Sequence, residues 1–408
     1  AEKAMKAALY KERFQGKERE EPELITALVD QFMKTQGVIP WGADREDSAV
    51  PDKDLMAQSS LNVQACFDGT ITNSKGQPLS ETMAGQETHL ATPIVRIPGI
   101  ALRDSDAIHG NDTVPPHIAD LARHIFLNRH DPSRLQFYIP KIEHEEEAAY
   151  LNTLIDTIEA TIKHMDPTYR MGQIKLYMVI EDVRAIFRVE NIIDKLEGKV
   201  IAYSLGWHDF VASGAETFRE FGGKHLPKER QDEAYIIPAK MLQQEIVARY
   251  IRESQELLGH VSARRGGIPI GGMYGVLFTQ PNSDDKAILN TQIAGREAAL
   301  KGLFREVFIE YANGVRGLWL ASPVYMRLTM ALVQALINGD QTQDYAQVDN
   351  LIDLTFTEPE YRQDLKTLFG HLQEDRNHIA DRRTAYLKNP SSFYDSPERT
   401  LGLIAAGL

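Results

Sequence analysis

Several apolar runs in this chain end on charged side chains whose types complement one another. The run KLYMVI (175–180) stops at the adjacent carboxylates Glu181 and Asp182, and VIAYSL (200–205) leads into GWHDF with Asp209. Two carboxylates delivered by neighbouring strands can converge on one hard divalent cation. Mg²⁺ suits such a pair, because it commonly takes one or two protein carboxylates and completes its octahedron with water and substrate oxygens. TPIVRI (92–97) carries Arg96 near its end. A guanidinium keeps its proton, so it can stabilise an enolate or an oxyanion as charge develops. Arg96 can equally form a structural ion pair with Asp44, Glu46 or Asp47 of the ADREDS segment, and the two roles are compatible. Lys141 and Lys240 follow two further runs and read as direct participants or as solvated partners of nearby acids. The glycines of RRGGIPIGGMYG lack the Lys and Ser/Thr that a phosphate loop requires, and close packing explains them better.

These side chains need strands to deliver them to one place. The candidate strands are GVIPWG (37–42), TPIVRI (92–97), LQFYIP (135–140), KLYMVI (175–180), VIAYSL (200–205), AYIIP (234–238), IPIGGM (268–273) and GLWLAS (317–322). Most are separated by helical patterns such as EHEEEAAYLNTLIDTIEATI and KMLQQEIVARYIRESQELLG. Eight strands alternating with helices predict an α/β fold, a (β/α)8 TIM barrel of parallel strands, whose site lies at the strands' C-terminal ends. Between the first two runs no clear helix is expected. ACFDGTITNSKGQPLSETM reads there as a hairpin turning at SKGQ, a small β insertion near 60–90. The expected division is an N-terminal helical segment (1–34, with ELITALVDQFMKTQ), a barrel (35–325) and a C-terminal helical domain (326–408) with polar loops near 338–345 and 388–397. Asp182 is expected to cap the helix that begins at VRAIF.

Bulk properties narrow the function class. The 408 residues carry a formal charge of −13 with no basic block, which argues against nucleic-acid binding. Cys66 is the single cysteine, so neither an intramolecular disulfide nor a cysteine-based zinc cluster is available. No apolar run approaches the ~20 residues that cross a bilayer. A soluble, cytoplasmic protein with no membrane partner is the expectation, and assembly into a homo-oligomer is compatible with it.

With these residues in hand, the chain resembles the malate synthases. ADREDSAVPDKDLMAQSSLNVQACFDGTI is similar to their ADFEDS…P…N…GTI, and IVRIPGIAL resembles the strand that carries their active-site arginine. FYIPKIEHEEEA resembles FYLPK…EA, VIEDVRAIF resembles LIET…AVF, and LGWHDF resembles CGRWDYI. IGGMYG and RGLWLASP are similar to GGMAA and GTWIAHP. The resemblance implies that Glu181 and Asp209 ligate Mg²⁺, and that glyoxylate chelates the metal and touches Gly206, Trp207, His208 and Asp209. It implies that Arg96 stabilises the enolate of acetyl-CoA and contacts glyoxylate. Asp44, Glu46 and Asp47 would support the metal waters and the arginine, while Ser48, Met273 and Pro323 would lie along the acyl-CoA. The family's catalytic base stands in a MED motif. LQEDRNHIADRR is the nearest match, which makes Asp375 the candidate, with a charged helix-start residue as its alternative reading.

The implied activity is Mg²⁺-dependent Claisen condensation of acetyl-CoA with glyoxylate, ending in malate and free CoA. A citrate-lyase-β-like or malyl-CoA lyase shares the barrel, the metal pair and the arginine but lacks the hydrolytic step. A catalytically silent barrel used for binding is the reading from another class. The departures are RIPG with Pro98 in place of RVRG, Ser322 within ASP in place of AHP, QED in place of MED, and a C-terminal region expected to be reduced.

Overall fold

The computed structural model describes residues 22–37, 39–46, 53–72, 75–78, 93–102, 108–109, 112–222, 244–278 and 280–393. The strands of its main sheet are β1 (Trp41–Asp44), β2 (Pro93–Arg96), β3 (Gln136–Ile139), β4 (Lys175–Ile180), β5 (Val200–Leu205), β6 (Ile268–Tyr274) and β7 (Gly317–Leu320), beside a short antiparallel pair, Ile108–His109 with Asp112–Thr113. Seven of the eight expected strands are therefore present, and the eighth, AYIIP, lies outside the described residues. The first is displaced from 37–42. Pro40 has no N–H to give a ladder, so pairing begins after it and runs on to Asp44.

The chain divides into two compact units. One comprises Val38–Ile270 with Phe393–Leu408, the other Ala1–Gly37 with Gly271–Ser392. In the first, β1 to β5 and the opening residues of β6 pair in chain order, every pair parallel. Parallel pairing requires crossovers, and helices supply them: Lys53–Phe67 (taken as α2), Pro116–Asn128 (α3), Glu145–Met165 (α4), Val189–Lys195 (α5), Trp207–Gly222 (α6) and Gln244–Arg265 (α7). This is the α/β barrel architecture that the sequence predicts.

The α4 helix shows why these segments fold as they do. Ala148, Leu151, Ile155, Ile158 and Ile162 are buried at three- and four-residue spacing, and each Leu or Ile so buried contributes about 1.5–3 kcal/mol. Three glutamates fill its first turn, where the helix dipole favours them, and the Glu147 carboxylate accepts from the His144 N–H at 3.3 Å. On β3, Phe137 and Ile139 are buried while Gln136 and Tyr138 alternate with them, the period of a strand with two different faces.

Two local expectations need correction. A helix, α2, does lie between the first two strands. Its apolar residues are split, with Val63 buried but Leu55 and Leu61 exposed, so its sequence lacks a continuous apolar stripe. Of the hairpin expected near 60–90, the described residues hold an antiparallel bridge between Thr72 and Pro78 around Gly76, which has φ 75°, and 73–74 and 79–92 lie outside them. Asp182 does not begin a regular helix. It accepts from the Arg184 N–H at 2.8 Å and from Ser213 Oγ at 2.7 Å, holding a turn ahead of a 3-10 segment, Ala185–Arg188.

The other unit holds Glu23–Gln36 (α1), the end of β6, β7, Lys286–Ala312 (α8), Met326–Thr342 (α9), Ala346–Thr355 (α10) and Pro359–Lys388 (α11). The α9 helix runs through the loop expected at 338–345 as far as Thr342 and ends at Gln343, φ 59°. Gln31 and Asn338 exchange two amide hydrogen bonds of 2.9 and 3.0 Å, which ties α1 to α9. Arg376 grips Asp340 with two hydrogen bonds of 2.6 and 2.8 Å. Among the described residues no helix is long and apolar enough to cross a membrane.

The paired glycines of IGGMYG receive their explanation in this unit. A methyl group at Gly271 would overlap the Glu310 carboxyl, which is fully buried against that strand. Burial, then the neighbouring Glu306, push the Glu310 pKa well above the usual carboxylate range. A raised folded pKa leaves stability intact below the unfolded value and removes it as pH climbs toward the folded one. Glu310→Gln is therefore expected to gain on the wild type as pH rises above the usual carboxylate range, by up to about 1.4 kcal/mol per pH unit. Urea melts at increasing pH check it, and parallel stability curves would refute the buried neutral acid.

Candidate active site

Strand register assembles the site. Asp44 pairs with Arg96, and Arg96 with Tyr138, so three strands bring these side chains into one row. Side chains two apart on a strand share a face, and Glu46 joins Asp44 beside the guanidinium. Arg96 Nη2 lies 2.8 Å from Glu46 Oε2 and 3.3 Å from Glu181 Oε1, and Nη1 lies 3.5 Å from Asp44 Oδ2. The structural ion pair and the proposed catalytic arginine are thus one residue. Its guanidinium also stands 5.9 Å from the centre of the Tyr138 ring.

One residue beyond β4, Glu181 is 6% exposed. Burial pushes its pKa up to about 7, with Arg96 and Lys141 pulling against that rise and Asp209 and Glu46 adding to it. The backbone N–H of Lys141 donates to Glu181 Oε2 at 3.2 Å. Lys141 has φ 54°, a left-handed conformation that costs a non-glycine residue about 1–2 kcal/mol and that collects at functional sites. Its ammonium stands 2.9 Å from Glu46 Oε2, 3.4 Å from Asp209 Oδ2 and 4.0 Å from Glu181 Oε2.

A cationic group is thus flanked by three carboxylates, two of them the expected metal pair. Among the described residues no three His, Cys, Asp or Glu side chains are arranged to hold a metal by themselves. An all-oxygen pair beside a position that already receives a positive charge fits Mg²⁺, which needs no third protein ligand. Asp209 lies in the first turn of α6, and the Phe210 N–H donates to Gly206 O at 2.9 Å, so Gly206 stands at the helix start. Backbone N–H groups there point outward with the positive end of the helix dipole, an anion site. Trp207 and His208 stack with ring centres 3.6 Å apart, and burial lowers the His208 pKa.

The structure therefore gathers Asp44, Glu46, Arg96, Lys141, Glu181 and Asp209, with Gly206, Trp207 and His208 on the adjoining helix start. Asp47, Ser48 and Lys240 lie outside the described residues. Met273, Ser322, Pro323 and Asp375 belong to the other unit. There Ser322 accepts from the Val324 N–H at 3.4 Å and starts a 3-10 turn with Pro323. Met273 is exposed on β6. Asp375 is not at a helix start but in the interior of α11, half-exposed, with Arg382 Nη2 at 3.9 Å. The helix begins at Pro359, a residue favoured at the first helical position, and runs through Gly370 without a break.

Sequence reasoning passed over Tyr138 and Arg45. Tyr138 has an audible signal, the polar tip at the second position of FYIP. Arg45 has none, for an arginine between two acids reads as solvated.

Malate synthase A of Escherichia coli (strain K12) is 25% identical over 307 residues, covering 74% of this chain and 51% of that protein. Malate synthase of Oryza sativa subsp. japonica is 25% identical over 309 residues, covering 74% and 49%. Malate synthase of Streptomyces clavuligerus is 23% identical over 347 residues, covering 82% and 58%. The chain spans about half the length of the curated relatives it matches. The description "Malate synthase, TIM barrel domain" matches residues 92–358, the stretch that carries β2 to β7 and, with them, Arg96, Glu181 and Asp209, and through that match the chain belongs to the malate synthase family.

Proposed function

We propose that this chain condenses acetyl-CoA with glyoxylate in a Mg²⁺-dependent Claisen reaction, and that hydrolysis of the malyl thioester then yields malate and free CoA. The observation that carries the reading is the Arg96 guanidinium, oriented by Asp44, Glu46 and Glu181 at the C-terminal ends of parallel strands. Membership in a family whose relatives are named malate synthase supports it. A cytosolic setting fits the single cysteine.

Glu181 and Asp209 would hold Mg²⁺, and the chemistry it would supply there is Lewis acidity toward the aldehyde of glyoxylate. The remaining work falls to the chain's own groups. The N–H groups from Gly206 to Asp209 bind the glyoxylate carboxylate, with Trp207 and His208 beside it. Arg96 donates to the thioester oxygen of acetyl-CoA as negative charge grows there, which brings a very weakly acidic methyl group within reach of a carboxylate base. Asp375 takes that proton on its carboxylate. Asp44 and Glu46 hold the arginine, and the resemblance to the malate synthases would have Asp47 support the metal waters and Ser48, Met273 and Pro323 line the acyl-CoA.

Mixing the protein with glyoxylate, acetyl-CoA and Mg²⁺ is expected to release CoA thiol, followed with a thiol reagent. Cleavage of malyl-CoA without thiol release would mean a lyase instead, and failure to bind either Mg²⁺ or glyoxylate by calorimetry would leave a binding barrel. Asp375→Asn is expected to lower kcat by about 10²–10⁴-fold. Unchanged turnover in that variant would move the base elsewhere.

A further inference from the structure

Arg45 stands between two residues of the site, yet its side chain goes the other way. It is 3% exposed, an ion pair joins its Nη1 to Asp120, and the same nitrogen lies 3.1 Å from His124 Nε2. Its Nη2 donates to the Met56 carbonyl at 3.2 Å. Arginine has donors only, so His124 Nε2 must accept and the ring proton sits on Nδ1. Burial holds the His124 pKa down to about 4, which keeps that acceptor free of a proton at neutral pH.

The partners come from two helices. Asp120 and His124 are one turn apart on α3, and Met56 is on α2. A second link joins the same helices, for Gln64 and Asn128 exchange side-chain hydrogen bonds of 3.4 and 3.2 Å. A buried guanidinium is costly unless paired and hydrogen-bonded, so this one is fixed, and the backbone that carries it is fixed with it. Alternation along the chain then sends Asp44 and Glu46 to the opposite face, where both meet Arg96.

We propose that Arg45, with Asp120 and His124, is a positioning residue: anchored in the helix layer, it sets where Asp44 and Glu46 stand and through them the orientation of Arg96. Its catalytic consequence rests on the condensation proposed above, whereas the anchoring does not.

The test has an arm for each. In hydrogen exchange on the full chain, Arg45→Met is expected to speed the amides of 44–46 at least tenfold, including the Glu46 N–H that donates to Asp44 Oδ1 at 3.0 Å, and to leave Lys175–Ile180 unchanged. In the thiol assay it is expected to lower kcat about 10- to 100-fold, as a small misplacement does, with the KM for acetyl-CoA within twofold of wild type. Arg45→Lys, which retains the charge for Asp120, is expected to recover part of that loss. Added to Glu46→Gln, Arg45→Met is expected to cost no more than a further twofold, because both act on the same contact. If Arg45→Met does not fold, Asp120→Asn weakens the anchor at nearly constant shape and should reproduce each change. Unaltered exchange at 44–46 overturns the anchoring, and full multiplication of the two kcat losses overturns action through Glu46. An inactive wild type would defeat the condensation reading, and the exchange result would then decide the anchoring alone.

Discussion

Arg96→Lys is expected to lower kcat for thiol release by about 10³-fold and to shift the KM for glyoxylate far less. Lysine keeps the positive charge, so general electrostatic attraction survives the change. What it loses is the planar fork. Arg96 uses Nη1 toward Asp44 and Nη2 toward Glu46 and Glu181, and a single ammonium cannot hold those three carboxylates and still aim a donor at a developing oxyanion. Losing one well-aimed oxyanion donor costs about 10²–10³-fold in kcat, and here orientation is lost as well. Exchange of the acetyl-CoA methyl protons with deuterated solvent reports enolate formation directly. It should fall in step with kcat, and a variant that exchanges at the wild-type rate would show that Arg96 serves binding rather than enolate formation.

How much of this site was legible in the sequence follows from how far each residue's environment is local. Glu181 and Asp209 announce themselves because they follow closely on continuous apolar runs, and a parallel sheet must place the ends of such runs together. Arg96 could be read for the same reason, and register fixed its neighbours Asp44 and Tyr138. Arg45 could not, since its partners Asp120 and His124 lie over seventy residues away on a helix whose facing is decided by packing. The α2 helix escaped because its apolar residues are divided between two faces. Of the two readings of Asp375, the alternative, a charged helix-start residue, rested on its charged neighbours, whereas the structure continues one helix from Pro359 to Lys388. Local charge patterns do not by themselves mark a boundary, and the isolated Gly370 upstream is carried inside the helix.

Gly206→Ala is expected to do more damage than any other single-methyl change near the site. Glu181 and Gly206 follow the paired residues Ile180 and Leu205, so the two stand side by side at the ends of β4 and β5. A Cβ built at Gly206 would lie 2.8 Å from Glu181 Oε1 and 2.9 Å from Val179 Cγ1, with Glu181 Cγ closer still. Gly206 has no left-handed φ, so the objection is to volume and not to backbone strain. Val179 is in the buried wall and cannot retreat, hence Glu181 must move. Its carboxylate then leaves Arg96 Nη2 and the Lys141 N–H together. Overpacking of this kind costs about 1–3 kcal/mol of stability, and Mg²⁺ affinity measured by calorimetry should fall at least tenfold if, as proposed, Glu181 is one of two carboxylate ligands. Gly370→Ala in α11 is the matched control: no atom outside its own helix lies within 4 Å of the added carbon, so alanine's higher helix propensity should stabilise by about 0.5–1 kcal/mol. If both variants melt alike and Gly206→Ala still binds Mg²⁺ as the wild type does, the Glu181 side chain has a second seat at the mouth, and the close approach of glycine to carboxylate is not what fixes the metal ligand.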